Sequence, residues 1–462
     1  MKNRLLWLML AVSLALVLVA CGTAGNGDAA SNPTTPTIPN VTYKVSDFKS
    51  DTDYPYASIQ NKLSWESIDK LPAKHEGMTI EEGREAVVAF FNYAKTVCWT
   101  PNTTITFTKN SSGSQDIMEK GHVYGGLPYV GLGSGSVYRL MDYMDPNTGV
   151  VNLGNAVNKD EPYDGWKTFG NQCSIGAYWG WGRVMNSAAY TWTQGIVAKN
   201  NFVMLGNLKV RDKDGNLIPI QNATRNWSNN ASNSSNYGTD ECIKDNSEQD
   251  LYEAYALMKK GDGMVYYTTA GHVIMATCDA VVVRDANGKI DGEKSWITIT
   301  DQAQTWYEAT NDQGDAYEYK GGVNVKNTFK QLVKGNYVPF TYKEFTGEDP
   351  FEATECKFSY TGTSIKVSSL WTSSVTSNYG ISDVYIMVYD SNGNEVYKHA
   401  VRCTQASTFE LKIIEKAPKK VPTVETWGTL EFAEGETYTV EIAAQLSTGE
   451  RPIVYTGAIG PG

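Results

Sequence analysis

Cys173, in the stretch FGNQCSIGAYWGWGRV, and His272, in GDGMVYYTTAGHVIMA, are the side chains of this 462-residue chain best suited to carry chemistry. Cys173 follows the turn Gly170-Asn171-Gln172 and opens a segment, 173–190, that reads as a helix. A cysteine there meets unpaired backbone N–H groups and the positive end of the helix dipole, which favour the thiolate. The same N–H groups can hold an oxyanion. Histidine is the usual general base near neutral pH, and only four are present: His75, His122, His272 and His399. His75 lies in a polar stretch, His399 falls among the C-terminal strands, and His122 precedes a glycine-rich loop with no regular pattern to hold it. His272 alone sits within a strand that follows a tight turn. Asp301 ends the run Trp296-Ile-Thr-Ile-Thr one strand or hairpin later, where an antiparallel neighbour sets its carboxylate beside the imidazole and fixes the tautomer. Gln302 and Gln304 compete for that role. Taken singly, each has a plainer reading: a buried thiol, a satisfied histidine, a strand-end aspartate capping a turn.

The elements around these residues follow from pattern. Residues 79–98 read as an amphipathic helix, with a Thr79/Glu82 capping box and apolar positions Val87, Val88, Phe90, Phe91 and Ala94. Gly176, Gly180 and Gly182 are poor helix formers but allow the 173–190 helix to approach a sheet closely. Residues 201–220 read as a hairpin tipped by Asp214-Gly215, and a short helix is expected near Leu251 to Met258. Met264–Tyr267, His272–Ala276, Ala280–Val283 and Trp296–Thr300 are β-branched or aromatic runs set off by turns. Helices followed by antiparallel strands give an α+β domain over 41–345. From Cys356 on, six short alternating runs without a helical pattern give a β-sandwich over 350–462: Lys357–Tyr360, Ser364–Leu370, Asp383–Tyr389, Glu395–Val401, Thr408–Ile414 and Thr437–Ala443.

The N-terminus sets the compartment. Lys2 and Arg4 precede sixteen uncharged residues, Leu5 to Ala20, too few to span a bilayer comfortably. The ending Leu18-Val19-Ala20-Cys21 resembles a bacterial lipoprotein signal. The resemblance implies a removed signal over 1–20, a lipid on Cys21, and an extracytoplasmic protein anchored to a membrane. Residues 21–40 are a disordered tether rich in Gly, Ala, Ser, Thr, Pro and Asn. Loss of Lys2 and Arg4 takes the formal net charge from −11 to −13, which argues against nucleic acid as a partner. No CxxC or Cys/His spacing points to zinc, and Asp285-Ala-Asn287-Gly-Lys289 reads as a hairpin turn because Lys289 occupies what would be a calcium-ligand position. No metal or organic cofactor is expected. Of the six cysteines besides Cys21, a free Cys173 leaves five, so at least one more is unpaired.

The order of cysteine on a helix, histidine on a strand and polar residue on the next strand resembles the NlpC-type cell-wall peptidases of the papain-like superfamily. Tyr124-Gly125-Gly126, Cys173-Ser174, Gly261-Asp262 and Gly271-His272-Val273 carry the likeness, over about residues 120–305. It implies a papain-like catalytic domain with Cys173 as nucleophile, His272 as base and Asp301 as its orienting partner. Tyr124, Gln172 and Ser174 would line the oxyanion or substrate site, and peptidoglycan stem peptides would be the substrate. Gln172 stands where the family usually has aspartate and Ile175 where it has glycine, and the 49-residue interval from Tyr124 to Cys173 implies an insertion. Trp166, Trp179, Trp181 and Trp192 are candidates for a groove wall, with core packing the expected role for at least half. The tryptophan-led strand ending in Asp301 is also similar to transglutaminase-like proteins, which implies acyl transfer or proteolysis of a protein. A non-catalytic wall-binding lipoprotein is the third reading.

Overall fold

A computed structural model of the chain describes residues 68, 70–108, 115–131, 133–153, 169–185, 201–223, 226–227, 236–268, 270–310, 316–347, 359–361, 371–377, 379–402, 408–413 and 437–459. The signal, Cys21, the tether, Trp166, Trp192, Cys356, Cys403 and the 364–370 run lie outside the described residues. The described part is α+β.

Helix α1 (Ile80–Thr96) begins as the sequence predicts: Thr79 Oγ1 accepts the Glu82 N–H, and the Glu82 carboxylate accepts the Thr79 N–H. Its inner stripe buries Arg84, Val87, Val88, Phe91 and Lys95, an i, i+3, i+4 pattern in which two charged residues stand among apolar ones. Phe90 and Phe91 are almost wholly buried, each contributing roughly 1.5–3 kcal/mol relative to exposure.

The site is carried by a six-stranded antiparallel sheet. In chain order its strands are β1 (Phe202–Met204), β2 (Gly263–Tyr267), β3 (Gly271–Ala276), β4 (Trp296–Asp301), β5 (Val325–Thr328) and β6 (Val338–Tyr342), and in space they run β5-β4-β3-β2-β6-β1. Two sequence expectations change here. The 209–219 hairpin forms with Gly215 at its tip, but Phe202–Met204 leaves it to pair with Phe340–Tyr342 at the sheet edge. Ala280–Val283 makes only a bridge from Val281 to Trp296, since Val281 is 37 % exposed and gains little from a full ladder. A second, five-stranded sheet orders Trp306–Thr310, Ala316–Lys320, Tyr124–Gly125, Cys98–Pro101 and Val150–Val151.

Helix α2 (Cys173–Gly182) is buried along all ten of its residues, between α1 and the six-stranded sheet. Glycines permit this. A Cβ on Gly176 would lie 3.2 Å from both Gln302 Cβ and Phe91 Cε2, and one on Gly180 would lie 3.0 Å from Met275 Cε. Gly176→Leu is therefore expected to destabilise the protein by about 1–3 kcal/mol through overpacking, read as a lower urea midpoint at unchanged slope.

The C-terminal strands form a four-stranded antiparallel sheet, ordered Glu395–Arg402, Ile381–Tyr389, Tyr438–Leu446, Ile453–Ile459, and a three-stranded one of Ser359–Thr361, Trp371–Thr376 and Thr408–Ile413. The four-stranded sheet is tied closely to the helical part. Arg139 pairs with Asp383 at 3.2 Å, and Arg451 chelates Asp142 at 2.8 and 3.1 Å. At the far end of α2, Arg183 donates to the Tyr138 hydroxyl at 2.9 Å, the Pro72 carbonyl at 3.1 Å, the Leu71 carbonyl at 3.2 Å and the Thr448 carbonyl.

Candidate active site

Strand register explains how residues 29 positions apart meet. In the β3–β4 ladder Asp301 lies opposite Ile274, two residues from His272 and so on the same face of β3. The diagonal places the carboxylate on the ring: His272 Nε2 and Asp301 Oδ2 are 2.7 Å apart. The other oxygen, Asp301 Oδ1, accepts the Gly322 N–H, so the carboxylate is held at both ends. The carboxylate thereby takes Nε2 of the ring. Cys173 lies close enough to His272, and to the N–H groups of Val273 and Ser174, for all three to act on its thiol.

Cys173 is the first residue of α2, after Gln172 in extended conformation, and no acidic side chain occupies the first turn to compete for its N–H groups. Cys173 carries a free thiol, and the residue as a whole is 5 % exposed. No disulfide joins Cys173, Cys98, Cys242 and Cys278, the described cysteines. Burial pushes the Cys173 thiol up, but the hydrogen bond and charge of His272, with the two backbone N–H groups, bring it below the ordinary thiol value. For His272 burial acts downward and is outweighed by Asp301 and Cys173, which raise the imidazole to about 10. Burial would raise Asp301, yet His272, the Gly322 N–H and the charge of Lys95 hold it below the usual carboxylate range. The arrangement favours a thiolate–imidazolium pair, present above the lowered thiol value and lost as the pH passes the raised imidazole value.

Other expected site residues fall in varied places. Gln172 is buried, with Nε2 3.4 Å from Ser174 Oγ and its N–H on the Gly133 carbonyl, and Ser174 is 5 % exposed. Both flank the sulfur in sequence. Tyr124 is committed to the second sheet: its hydroxyl accepts the Glu119 N–H at 2.9 Å, and its ring lies against His122 and Trp99 at 4.6 and 5.5 Å. The tyrosines near enough to feel the Cys173 charge are Tyr129, Tyr266 and Tyr337. Tyr266 faces His272 across the β2–β3 ladder, a pairing that the two strand assignments alone imply. Gln304 acts on Tyr129, and Gln302 turns into the interior; neither takes the place of Asp301 on the imidazole. Trp179 and Trp181 pack in the core, donating to the Ser134 and Gly261 carbonyls at 3.3 and 2.7 Å. His122 is buried and paired with Glu318 at 2.9 Å.

Asp301→Asn tests the carboxylate's part. An amide can still meet the ring but does not stabilise imidazolium, so alkylation of Cys173 should slow below neutral pH. The basic limb of Cys173 alkylation should also move to lower pH, because the largest upward pull on His272 comes from Asp301. An unmoved limb would remove Asp301 from the mechanism. No protein-family model matches the chain, and no curated protein matches it in sequence, so these residues stand on their own chemistry.

Proposed function

We propose that this chain is a lipid-anchored, extracytoplasmic cysteine hydrolase that cleaves amide bonds in peptidoglycan stem peptides, at the bond from γ-D-glutamate to a diamino acid. The reading takes residues 41–345 as a papain-like domain and 350–462 as a β-sandwich. One observation carries it: an imidazole bound at 2.7 Å to a carboxylate through Nε2 stands close enough to a thiol at the head of a buried helix to act on its ionisation. The substrate class comes from the motif likeness to NlpC-type peptidases.

In this scheme the Cys173 thiolate attacks the amide carbon, and the tetrahedral oxyanion is held by N–H groups at the start of α2. The C–N bond breaks as the His272 imidazolium gives its proton to the leaving amine. His272, now neutral, takes a proton from water, whose oxygen attacks the thioester. Release of the carboxylic acid restores the sulfur, and Asp301 keeps the ring oriented throughout. A transglutaminase-like acyl transferase shares the first half and differs only in what resolves the thioester. The tryptophan-led strand β4, ending in Asp301, is what favours keeping that second reading.

Incubation with purified muropeptides of several stem compositions tests both. New amino groups, absent with Cys173→Ala, support hydrolysis; incorporation of an added primary amine into product supports transfer. Failure to cleave any stem composition would overturn the wall-peptidase reading. Anchoring is tested separately, by incorporation of labelled fatty acid and its loss in Cys21→Ser.

A further inference from the structure

Behind the Cys173–His272–Asp301 line lies a second set of polar groups that the scheme above leaves unused. Lys95, in the last turn of α1, is 2 % exposed, an unusual place for an ammonium. Its Nζ donates to Gln302 Oε1 and to the Lys320 carbonyl. Gln302 is 1 % exposed and directly follows Asp301. Its Nε2 donates onward to the Leu127 carbonyl at 3.0 Å and the Asn171 carbonyl at 3.4 Å. Asn171 stands two residues before Cys173, and its Nδ2 donates to the Gly135 carbonyl at 3.2 Å. A continuous path of side-chain hydrogen bonds thus runs from the end of α1, past the residue after Asp301, to the turn that launches α2.

We propose that Lys95 is a positioning residue for the catalytic line: through Gln302 it locks the strand end bearing Asp301 to the turn that presents Cys173, and its charge supports the Asp301 carboxylate. The proposal rests on the cysteine-hydrolase reading. It explains why a cation is used where a neutral side chain would be far cheaper to bury. Two strong acceptors satisfy the ammonium, and the Asp301 carboxylate is charged close enough for each to act on the other. The other ionisable groups acting on this region are Lys320, itself paired with Asp116, and His272 on the far side of Asp301. Burial lowers Lys95 to about 7 in spite of Asp301, so the support weakens as the pH rises through neutrality.

The test is the pH profile of Cys173 alkylation by iodoacetamide, with the other described thiols replaced by serine or alanine and thermal melts run in parallel. With Lys95→Met, Asp301 loses support, the imidazolium weakens, and the thiol value rises. A rise of one unit moves the acidic limb of the profile up by one pH unit, and on that limb labelling slows about tenfold. Gln302→Glu retains Lys95 but gives its charge a nearer carboxylate, and should shift the profile in the same direction. A folded Lys95→Met protein with the wild-type profile overturns the proposal; should Lys95→Met not fold, an unshifted profile in Gln302→Glu overturns it equally. Failure of the underlying reading looks different: there the wild-type Cys173 labels as an ordinary thiol and His272→Ala changes nothing.

Discussion

In His272→Ala, alkylation of Cys173 near pH 6 is expected to fall by at least tenfold, and amide hydrolysis by on the order of 10²–10⁴-fold. The imidazole supplies both the hydrogen bond and the charge that offset burial of the sulfur; without it only the Val273 and Ser174 N–H groups remain to stabilise the anion. A thiol that is 5 % exposed then behaves as a buried one and keeps its proton. The wild type should differ in both directions of pH. Its labelling should persist into the range where ordinary thiols are protonated, and change again only where His272, raised to about 10, releases its proton. Fast labelling that survives removal of the ring would mean that the helix start alone ionises the sulfur, and His272 would lose its assigned role.

Arg84→Met should cost about 3–5 kcal/mol, the largest stability effect predicted here. Arg84 lies on the buried stripe of α1 and donates through one nitrogen to Asp262 Oδ1 and the Lys260 carbonyl, both at 2.7 Å. Asp262 is 1 % exposed and is further bonded by Thr341 Oγ1 and the Lys259 N–H. Burial raises its carboxyl even with Arg84 present, so the pair compensates the desolvation only in part. Methionine would leave the carboxylate uncompensated. A carboxyl raised in the folded state costs nothing while both states hold the proton, and its penalty grows as pH climbs from the unfolded value to the folded one. Urea melts of Arg84→Met should therefore show a smaller deficit at pH 5 than at pH 8. Asp262→Asn, added to Arg84→Met, should recover part of the loss, because a neutral amide is cheaper to bury. An equal deficit at both pH values would mean that packing against Phe345, 4.1 Å from the guanidinium, and not charge, is what Arg84 supplies.

Local signals made α1, the Gly215 turn and strands β2 to β4 legible, because capping chemistry and period-two runs act over a few residues. The meeting of His272 and Asp301 was also accessible, since it needs only neighbouring antiparallel strands and their register. Phe202–Met204 was harder: nothing in its three residues says that its partner lies at 340–342. Tyr129 and Tyr337 were hidden for the same reason, as loop and turn residues brought to the sulfur by long-range packing. Lys95 and Arg84 were in plain view. Both sit at helical spacing with Phe91 and Val87 on the apolar face of α1, and a charge in an apolar stripe is a sign of a buried polar partner.

The Arg183 clamp bears on how the protein tolerates being divided. Helix α2 is ten residues long, about 15 Å from Cys173 to the residue that follows it, Arg183. Tyr138 and Arg183 fasten that rear end to the turn at Ser447 and Thr448, near the C-terminus of the chain. A fragment stopping short of the last strands would thus lose the anchor behind Cys173, and minimal versions of the protein must carry the tail along. By the same geometry, a load applied to those strands would travel down the helix axis like force along a pushrod, arriving at the sulfur.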